Sequence, residues 1–218
     1  MPPKATPPTA SLTRMSERGS ADRADLDALL DSGFVGVLAT TVDGEPWVVP
    51  MLYGRDGDRI LLHGSTGAGA LRQVAAGAPA AFCVVAVDGL VVAESTFESS
   101  ANYRSAVIRG RLQPLRAQER TEALREITEG IIPGRNAEVR PSTAKEEAAT
   151  MGLTLAIEAD NWLLKSRDGL PGDPGEPVDV WCGVIPLALT AGKPEAAPWS
   201  VGPVPASVAN FVAAHPAP

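Results

Sequence analysis

The residues best suited to chemistry lie in one short stretch, where a predicted strand runs into a predicted helix. Residues 59–63 form an apolar run, and small helix-compatible residues follow, with Leu71 and Val74 spaced three apart as on one helical face. Between these segments lie the hydroxyl residues Ser65 and Thr66. The first N–H groups of a helix have no internal partner, so this junction could bind a phosphate. A simple helix cap by either hydroxyl is the alternative that these residues leave open.

A helix N-terminus alone does not explain tight binding. It favours a negative charge by roughly 0.3–1 kcal/mol, whereas micromolar affinity requires about 8 kcal/mol. Arg72, near the first turns of the predicted helix, is a candidate for a charge-assisted contact. Burial of a large planar group would supply the remainder. The stretch therefore predicts a ligand that carries both a phosphate and a planar ring.

The composition indicates a single acidic domain that binds neither nucleic acid nor membranes. The chain has 218 residues, a formal net charge of −7 at pH 7 and an isoelectric point near 4.9. A domain of this length can bury a core, and its cations are scattered rather than gathered in a basic stripe. No apolar run approaches the length of a membrane span, and residues 1–8 lack the apolar core of a secretory signal. We expect a cytoplasmic protein with a disordered tail over residues 1–19.

The cysteines and histidines argue against a disulfide and against a zinc site. Cys83 and Cys182 each lie inside an apolar run, which favours two buried thiols in a reducing compartment over a disulfide. Two cysteines and two histidines do not form a zinc-binding pattern. The sequence therefore predicts no metal-ion site.

Asp-Gly pairs separate most of the predicted strands. Glycine supplies the positive φ that a tight hairpin turn requires, so repeated Asp-Gly pairs between apolar runs predict an antiparallel sheet. The pairs are at residues 43–44, 56–57, 88–89 and 168–169. The predicted strands are 34–41, 46–53, 59–63, 80–87, 90–96, 105–113, 152–158 and 178–187.

Helices are predicted at the start of the domain and between the later strands. Residues 20–33 form an amphipathic pattern that begins with a capping Ser20, and residues 117–132 form a longer one. Thr143 and Glu146 match a capping box for a third, short helix. The Pro- and Ala-rich extension 190–218 is predicted to be irregular.

The junction has one structural rival, a dinucleotide-binding fold. Gly67 and Gly69 follow a strand and open a helix, but Arg72 stands where the third glycine of that fingerprint belongs. Strands joined by two-residue turns also cannot form parallel βαβ units. Six to eight antiparallel strands with attached helices instead indicate a closed or split β-barrel.

At this point the chain resembles a known family, the FMN-binding split barrels that are pyridoxamine-5′-phosphate-oxidase-like, in the branch related to nitroimidazole-reducing proteins. The resemblance covers residues 20–189 and implies a mainly β fold, an antiparallel split β-barrel with flanking helices. It rests on seven segments in order: 33–35, 49–53, 62–66, 102–105, 133–135, 138–141 and 180–187.

The resemblance implies a homodimer with FMN between its subunits. The phosphate would lie at the junction described above and the isoalloxazine ring between the protomers. The residues carried over to the phosphate are His63, Gly64, Ser65, Thr66 and Arg72. The backbone of Pro50, Met51 and Leu52 would line the ring. Arg104, Ser105 and Trp181 are carried over as further residues near the cofactor.

Two positions depart from the family pattern. Glu98 stands where relatives often have a second histidine, and Asn136 stands where they often have an aromatic residue after Pro-Gly-Arg. Both changes bear on the substrate pocket, so no particular substrate is implied.

The leading prediction is an FMN-dependent oxidoreductase that transfers electrons between a reduced nicotinamide, or a similar donor, and a small organic substrate. No acid–base pair or Ser-His-Asp arrangement emerges from the spacing, which suits chemistry carried by a cofactor. Two alternatives remain open: a haem-binding split barrel with His63 as the axial ligand, and a non-catalytic flavin-binding module. From the residues alone, His63 is equally well explained as a hydrogen-bonded residue at a strand end.

Overall fold

The fold is built on one antiparallel sheet. A computed structural model describes residues 15–216, and in that range ten strands and five α-helices are present. The strands are β1 (Gly19–Ser20), β2 (Val35–Val42), β3 (Glu45–Asp56), β4 (Arg59–Ser65), β5 (Pro79–Val92), β6 (Ser100–Arg111), β7 (Gln113–Pro114), β8 (Thr150–Ala156), β9 (Trp162–Arg167) and β10 (Gly183–Pro186). The helices are α1 (Arg23–Asp31), α2 (Gly69–Ala75), α3 (Ala117–Ile131), α4 (Ala144–Ala149) and α5 (Ala206–Ala214).

Strand β3 changes partner partway along its length, and this change splits the barrel. Its residues Glu45 to Leu52 pair with β2, whereas Tyr53 to Asp56 pair with β4. The strand order is β1-β9-β6-β5-β2-β3-β4-β8-β7, and β10 pairs with β5 outside this path. Both neighbours of β4 run antiparallel to it. The split barrel predicted from the sequence is therefore confirmed, and the dinucleotide-binding rival is excluded.

Strict alternation along the strands fills the barrel. Leu38, Phe82 and Ile108 come from three different strands and are at most 1% exposed. Helix α1 adds its own buried leucines to this core, namely Leu26, Leu29 and Leu30. A second, smaller cluster lies under α3, where Leu61 of β4 meets Ala123 and Ile127. The odd residues of β4 thus face α3, while its even residues face the barrel core.

The local signals for turns and caps are largely confirmed. Asp43 and Gly44 adopt φ of 52° and 85° at the β2–β3 hairpin, as a tight turn requires. Thr143 and Glu146 form the predicted capping box of α4. The cap of α1 is Asp22 rather than Ser20: its carboxylate accepts from the Ala24 N–H, while the Ser20 hydroxyl donates to Asp25 and accepts from the Asp22 N–H.

The predicted turn at residues 88–89 is wrong. β5 continues through these residues as one strand, with a register shift against β6 between Val87 and Gly89. Asp88 is the extra residue of this bulge, and its carboxylate binds Arg104 instead of closing a turn. A bulge and a turn use the same residue types, so the dipeptide alone does not distinguish them.

The later part of the chain differs most from the prediction. β10 spans only residues 183–186, which pair with Gly89 to Val92 of β5. β9 was not predicted, although Trp162 and Leu164 alternate into the core as a strand requires. β6 begins at Ser100, earlier than predicted.

The extension 190–218 is not irregular throughout, since it contains α5. The helix is anchored by Glu138, whose carboxylate accepts from the N–H and the hydroxyl of Ser207. Of the predicted tail, residues 1–14 lie outside the described range, while Ser16–Arg18 form a 3-10 turn and β1 pairs with β9. Cys83 and Cys182 are free thiols and half-buried rather than buried, because each lies near the sheet surface. In residues 15–216, no helix combines the length and apolarity needed to cross a membrane.

Candidate functional site

The split between β3 and β4 brings two of the predicted cofactor segments together. The ladder between these strands ends at the pair Tyr53–Leu62. Beyond it, the edge of Pro50–Leu52 and the edge of His63–Ser65 diverge, because β3 turns to pair with β2 while β4 continues along β8. Backbone N–H and C=O groups on the facing edges are left without a strand partner. Such groups require water or a ligand as a partner, so this split is a candidate binding site for a polar ring edge.

The strand-to-helix junction forms as predicted, but its helix is short. β4 ends at Ser65 and α2 is seven residues long, with Ala68 as an N-cap that makes no side-chain hydrogen bond. The Ser65 Oγ accepts from the Gly67 N–H at 3.1 Å, so this hydroxyl stabilises the turn before the helix. The Thr66 Oγ1 donates to the Ala149 carbonyl at 3.3 Å. The alternative that a hydroxyl caps the helix is therefore correct only in part: the Ser65 hydroxyl bonds within the turn before α2, and not at the helix N-cap.

Close packing at Gly64 holds the junction in place. A Cβ atom there would lie 2.2 Å from the Leu71 Cδ1, so the buried Leu71 side chain of α2 occupies the space that the glycine leaves on β4. Ser65, Thr66 and Arg72 remain exposed at the surface of the junction. A phosphate could reach all three from solvent, and their role as phosphate ligands stays a prediction.

His63 faces a different space from the rest of the junction. His63 and Leu61 are two residues apart on β4, so both side chains face α3. The strand partner of His63 is Gly152 of β8, where a Cβ would lie 2.9 Å from the Arg120 Cγ of α3. Its Nδ1 is buried and has no hydrogen-bond partner in the described part of the chain. Burial lowers the pKa of His63 below its ordinary value. The imidazole is thereby held in its neutral form, which is the form that binds a metal.

The ring of His63 lines a cavity of about 380 Å³ between β4 and α3. Leu124, Arg125 and Thr128 of α3 form one wall, and Asn136 and Arg140 lie on the loop that follows. Sequence reasoning missed this cavity, because the facing residues of α3 were assigned only to helix packing. The available signal was the spacing of Leu61 and His63. Residues two apart on a strand share a face, so the histidine lies under the element that covers Leu61.

Three further residues that the family resemblance assigns to the cofactor lie apart from the junction. Arg104 forms a bidentate ion pair with Asp88 and lines another cavity, which contains none of the junction residues. The Ser105 Oγ donates to the Lys165 carbonyl at 3.4 Å. Trp181 is 64% exposed and covers Gly183, where a Cβ would lie 2.8 Å from its ring. The structure thus brings together Pro50–Leu52 and His63–Thr66, but not these three.

The two departures from the family pattern have different positions. Asn136 lies in the His63 cavity, where its side-chain amide donates to the Arg125 carbonyl at 2.9 Å. Glu98 is exposed in a turn, where its N–H donates to the Ser95 Oγ. Only Asn136 therefore bears on a cavity that contains a predicted site residue. No cluster of three or more metal-binding side chains occurs among residues 15–216.

Comparison with known proteins defines the class to which this arrangement corresponds. The chain belongs to the pyridoxamine 5′-phosphate oxidase family, whose model matches residues 22–161. A search of curated proteins found no match. The family resemblance inferred from the sequence is confirmed.

Two solved structures are similar to this chain over most of its length. The FAD and haem binding protein from Mycobacterium smegmatis is 45% identical, with a TM-score of 0.86 over 89% of this chain and 97% of that chain. The flavocytochrome Anf3 from Azotobacter vinelandii is 30% identical, with a TM-score of 0.85 over 92% of this chain and 94% of that chain. A 5-nitroimidazole antibiotic resistance protein from Bacteroides thetaiotaomicron shares the fold at 17% identity and a TM-score of 0.58, over 67% and 85% of the two chains.

Proposed function

We propose that this protein is a flavin-dependent oxidoreductase whose flavin lies along the split between β3 and β4. The observation that carries the proposal is the pair of diverging strand edges, Pro50–Leu52 and His63–Ser65, with the exposed junction at one end. The names of the Mycobacterium and Azotobacter relatives, an FAD and haem binding protein and a flavocytochrome, support it. Electrons would pass between a reduced nicotinamide and a small organic substrate.

The residues of the split would bind and orient the flavin, and the flavin when bound supplies the electron transfer. The free backbone groups of Pro50–Leu52 would hydrogen-bond the polar edge of the ring and stabilise negative charge there. The Thr66 hydroxyl, the Ser65 hydroxyl and the Arg72 guanidinium would bind the phosphate. The half-buried Met51 packs against the barrel core and would exclude water from one side of the ring. No side chain is required as a general acid or base.

We expect the variant Ser65→Ala/Arg72→Ala to lose its flavin while remaining folded. Both side chains are exposed and neither contributes to the core, so the fold loses only the Ser65 hydrogen bond to the Gly67 N–H in a surface turn, together with the proposed phosphate contacts. A loss of roughly tenfold or more in affinity corresponds to one or two charge-assisted hydrogen bonds. Flavin fluorescence after gel filtration measures the loss, and the mass of the released flavin distinguishes the FMN implied by resemblance from FAD.

The matched control is Lys193→Ala/Ser200→Ala, which removes one cation and one hydroxyl from exposed positions of the C-terminal extension. It should retain flavin as the unmodified protein does. Full flavin retention by the junction variant would contradict the phosphate assignment. Turnover of a reduced nicotinamide with an added acceptor then separates an enzyme from a non-catalytic flavin-binding module.

The proposal includes a homodimer, because one face of the sheet is apolar and exposed. Leu52 is paired with Val35, and Val85 lies in the next strand on the same face; they are 42%, 47% and 56% exposed. Val48 extends this apolar face along β3 and is 62% exposed. A second copy that covers this face would also cover the flavin ring beside Leu52.

We expect Val85→Glu to convert a dimer into a monomer with weakened flavin binding. The substitution buries a carboxylate in an apolar interface, which is costly without a partner, while in the monomer the same side chain is solvated. Sedimentation velocity measures the association state. The control Val201→Glu changes a fully exposed residue of the C-terminal extension. A monomeric unmodified protein, or a variant that stays dimeric, would contradict the proposal.

A haem is the second candidate cofactor, and His63 is the specific observation that favours it. The residues fit the group: a neutral imidazole with an unpartnered buried Nδ1 lines a cavity of about 380 Å³ that also contains the cations Arg125 and Arg140. The backbone of His63 borders the split, whereas its side chain faces α3. Flavin and haem would therefore not compete for the same space, which agrees with the two cofactors in the name of the Mycobacterium relative.

A further inference from the structure

A second break in the sheet lies along one edge of β5. β2 pairs with this edge as far as Cys83, and β10 pairs with it again from Gly89. The segment between them, residues 84–88, has no strand partner on that side. Within residues 15–216, one backbone hydrogen bond crosses the break, from the Leu187 N–H to the Asp88 carbonyl at 3.0 Å. Because backbone groups alternate along an antiparallel strand, every second residue here directs its N–H and C=O into the break.

The ends of the break are fixed by particular residues. At Gly89 a Cβ would lie 3.1 Å from the Ile185 carbonyl oxygen, so the backbones of β10 and β5 approach each other closely at this glycine. The β10–β5 ladder ends at the pair Pro186–Gly89, and one residue further the Leu187 N–H still donates to the Asp88 carbonyl. At the other end, β2 continues for two residues beyond its last pair with β5, Val37–Cys83, but Val35 and Gly36 pair with β3 alone. The break is therefore bounded by paired strand on both sides and is not a frayed end of the sheet.

The break opens into a cavity of about 450 Å³. Its walls are mostly apolar and include Leu29, Phe34, Val35, Leu187 and Leu189. The Ser32 hydroxyl at its border is already bound to the Leu29 carbonyl, at 2.8 Å. This cavity shares no residue with the His63 cavity or with the split.

Arg104 and Asp88 are the charged side chains of the cavity. The Arg104 Nε and Nη2 donate to the two carboxylate oxygens of Asp88 at 3.0 and 2.8 Å. The pair has no net charge, and the Arg104 Nη1 makes no hydrogen bond in the part of the chain that the structure describes. Asp88 therefore fixes the guanidinium in position and leaves Nη1 as a donor. A charged ligand would lose its hydration here and would meet no opposite net charge to offset that cost. A neutral hydrogen-bond acceptor has a much smaller desolvation cost.

We infer that this cavity is a second ligand site, which takes an uncharged planar heterocycle with an N–H beside a carbonyl. The N–H and carbonyl of such a ring pair with the backbone edge of β5 as a strand would, and a further carbonyl accepts from the Arg104 Nη1. The apolar walls cover the two faces of the ring. Because Val35 pairs with Leu52 of the split, the ligand lies one strand away from the proposed flavin. The site itself does not depend on the flavin.

The test compares two probes on the protein as purified and saturated with flavin. Lumazine carries the hydrogen-bonding edge on a pyrimidinedione ring fused to a pyrazine, and quinoxaline is a planar bicycle of similar size in which a benzene ring replaces the pyrimidinedione. Isothermal titration calorimetry should show lumazine binding at least about tenfold more tightly than quinoxaline, the difference that one or two net hydrogen bonds supply. Asp88→Asn/Arg104→Gln, which leaves no charge unpaired, should weaken lumazine binding by about tenfold and leave quinoxaline unchanged.

The matched control is Arg111→Gln, on the same strand but outside the cavity, which should bind lumazine normally. Ala188→Trp places a large ring in the cavity wall and should abolish binding of both probes. Equal affinities for the two probes, or lumazine binding unaffected by both cavity variants, would overturn the inference. Binding of lumazine only after the flavin is removed would overturn it as well, because the cavity would then be part of the flavin site. Flavin retention in every variant is measured separately.

Discussion

The variant His63→Ala should lose haem binding while retaining flavin. Removal of an axial ligand eliminates the bond to iron, whereas the backbone edge that we assign to the flavin is unchanged. Loss of an outer-shell partner of a metal ligand already costs about 10–100-fold in affinity, so loss of the ligand itself should exceed this range. Titration of the purified protein with ferric haem, followed by the Soret band, measures the change. Added imidazole should restore the band by occupying the space that the side chain leaves.

His215 provides the matched control, because it is the other histidine of the chain. Its ring is stacked on Phe211 at a centroid distance of 4.3 Å, and its Nδ1 lies 2.9 Å from the Phe211 carbonyl oxygen. His215→Ala should therefore bind haem as the unmodified protein does. A Soret band that persists in His63→Ala, or that disappears only in His215→Ala, would exclude His63 as the ligand. Flavin content serves as the test of folding in both variants.

Gly36→Ala should destabilise the protein more than the addition of one methyl group suggests. A Cβ at this position would lie 2.2 Å from the Phe82 Cζ. The Phe82 ring cannot move away easily, because Tyr53 packs against it edge-on at 5.3 Å and is itself hydrogen-bonded to the Leu30 carbonyl at 2.6 Å. Overpacking of this kind costs about 1–3 kcal/mol and occasionally more. For a chain of this length, each kcal/mol lowers the melting temperature by roughly 2–4 °C.

A double-mutant cycle isolates the cause. Phe82→Leu removes the ring atoms that meet the new methyl group, so it should cost less free energy of unfolding in the Gly36→Ala background than alone. Gly130→Ala is the control: no atom lies within 4 Å of its Cβ, and in the helix α3 the change should be neutral or stabilising by up to about 1 kcal/mol. Additive effects of Gly36→Ala and Phe82→Leu would contradict the packing explanation. Thermal unfolding measures all four variants.

Local signals in the sequence determined much of the architecture. The Asp-Gly turn at residues 43–44, the capping box of Thr143 and Glu146, and the apolar alternation of β2 to β5 each depend on residues close together in the chain. Such features follow from backbone conformation and local hydrogen bonds, which nearby residues decide. They sufficed to predict an antiparallel barrel, closed or split, and to place a strand-to-helix junction at residues 59–72, and the family resemblance chose the split form. The family resemblance added the expectation of a flavin.

Only the tertiary structure decided which strand or helix each strand edge and each strand face meets. The change of partner along β3, which opens the split beside Pro50–Leu52, depends on where β2 and β4 lie. The same holds for Asp88, which is the bulge residue of β5 and whose carboxylate binds Arg104 on the next strand. His63 ended a predicted strand, but the element that covers it, α3, lies more than fifty residues away in sequence. Contacts between distant segments carry no local pattern, so the sequence determined the residues available for a site, and the packing of the strands and helices determined which of them meet.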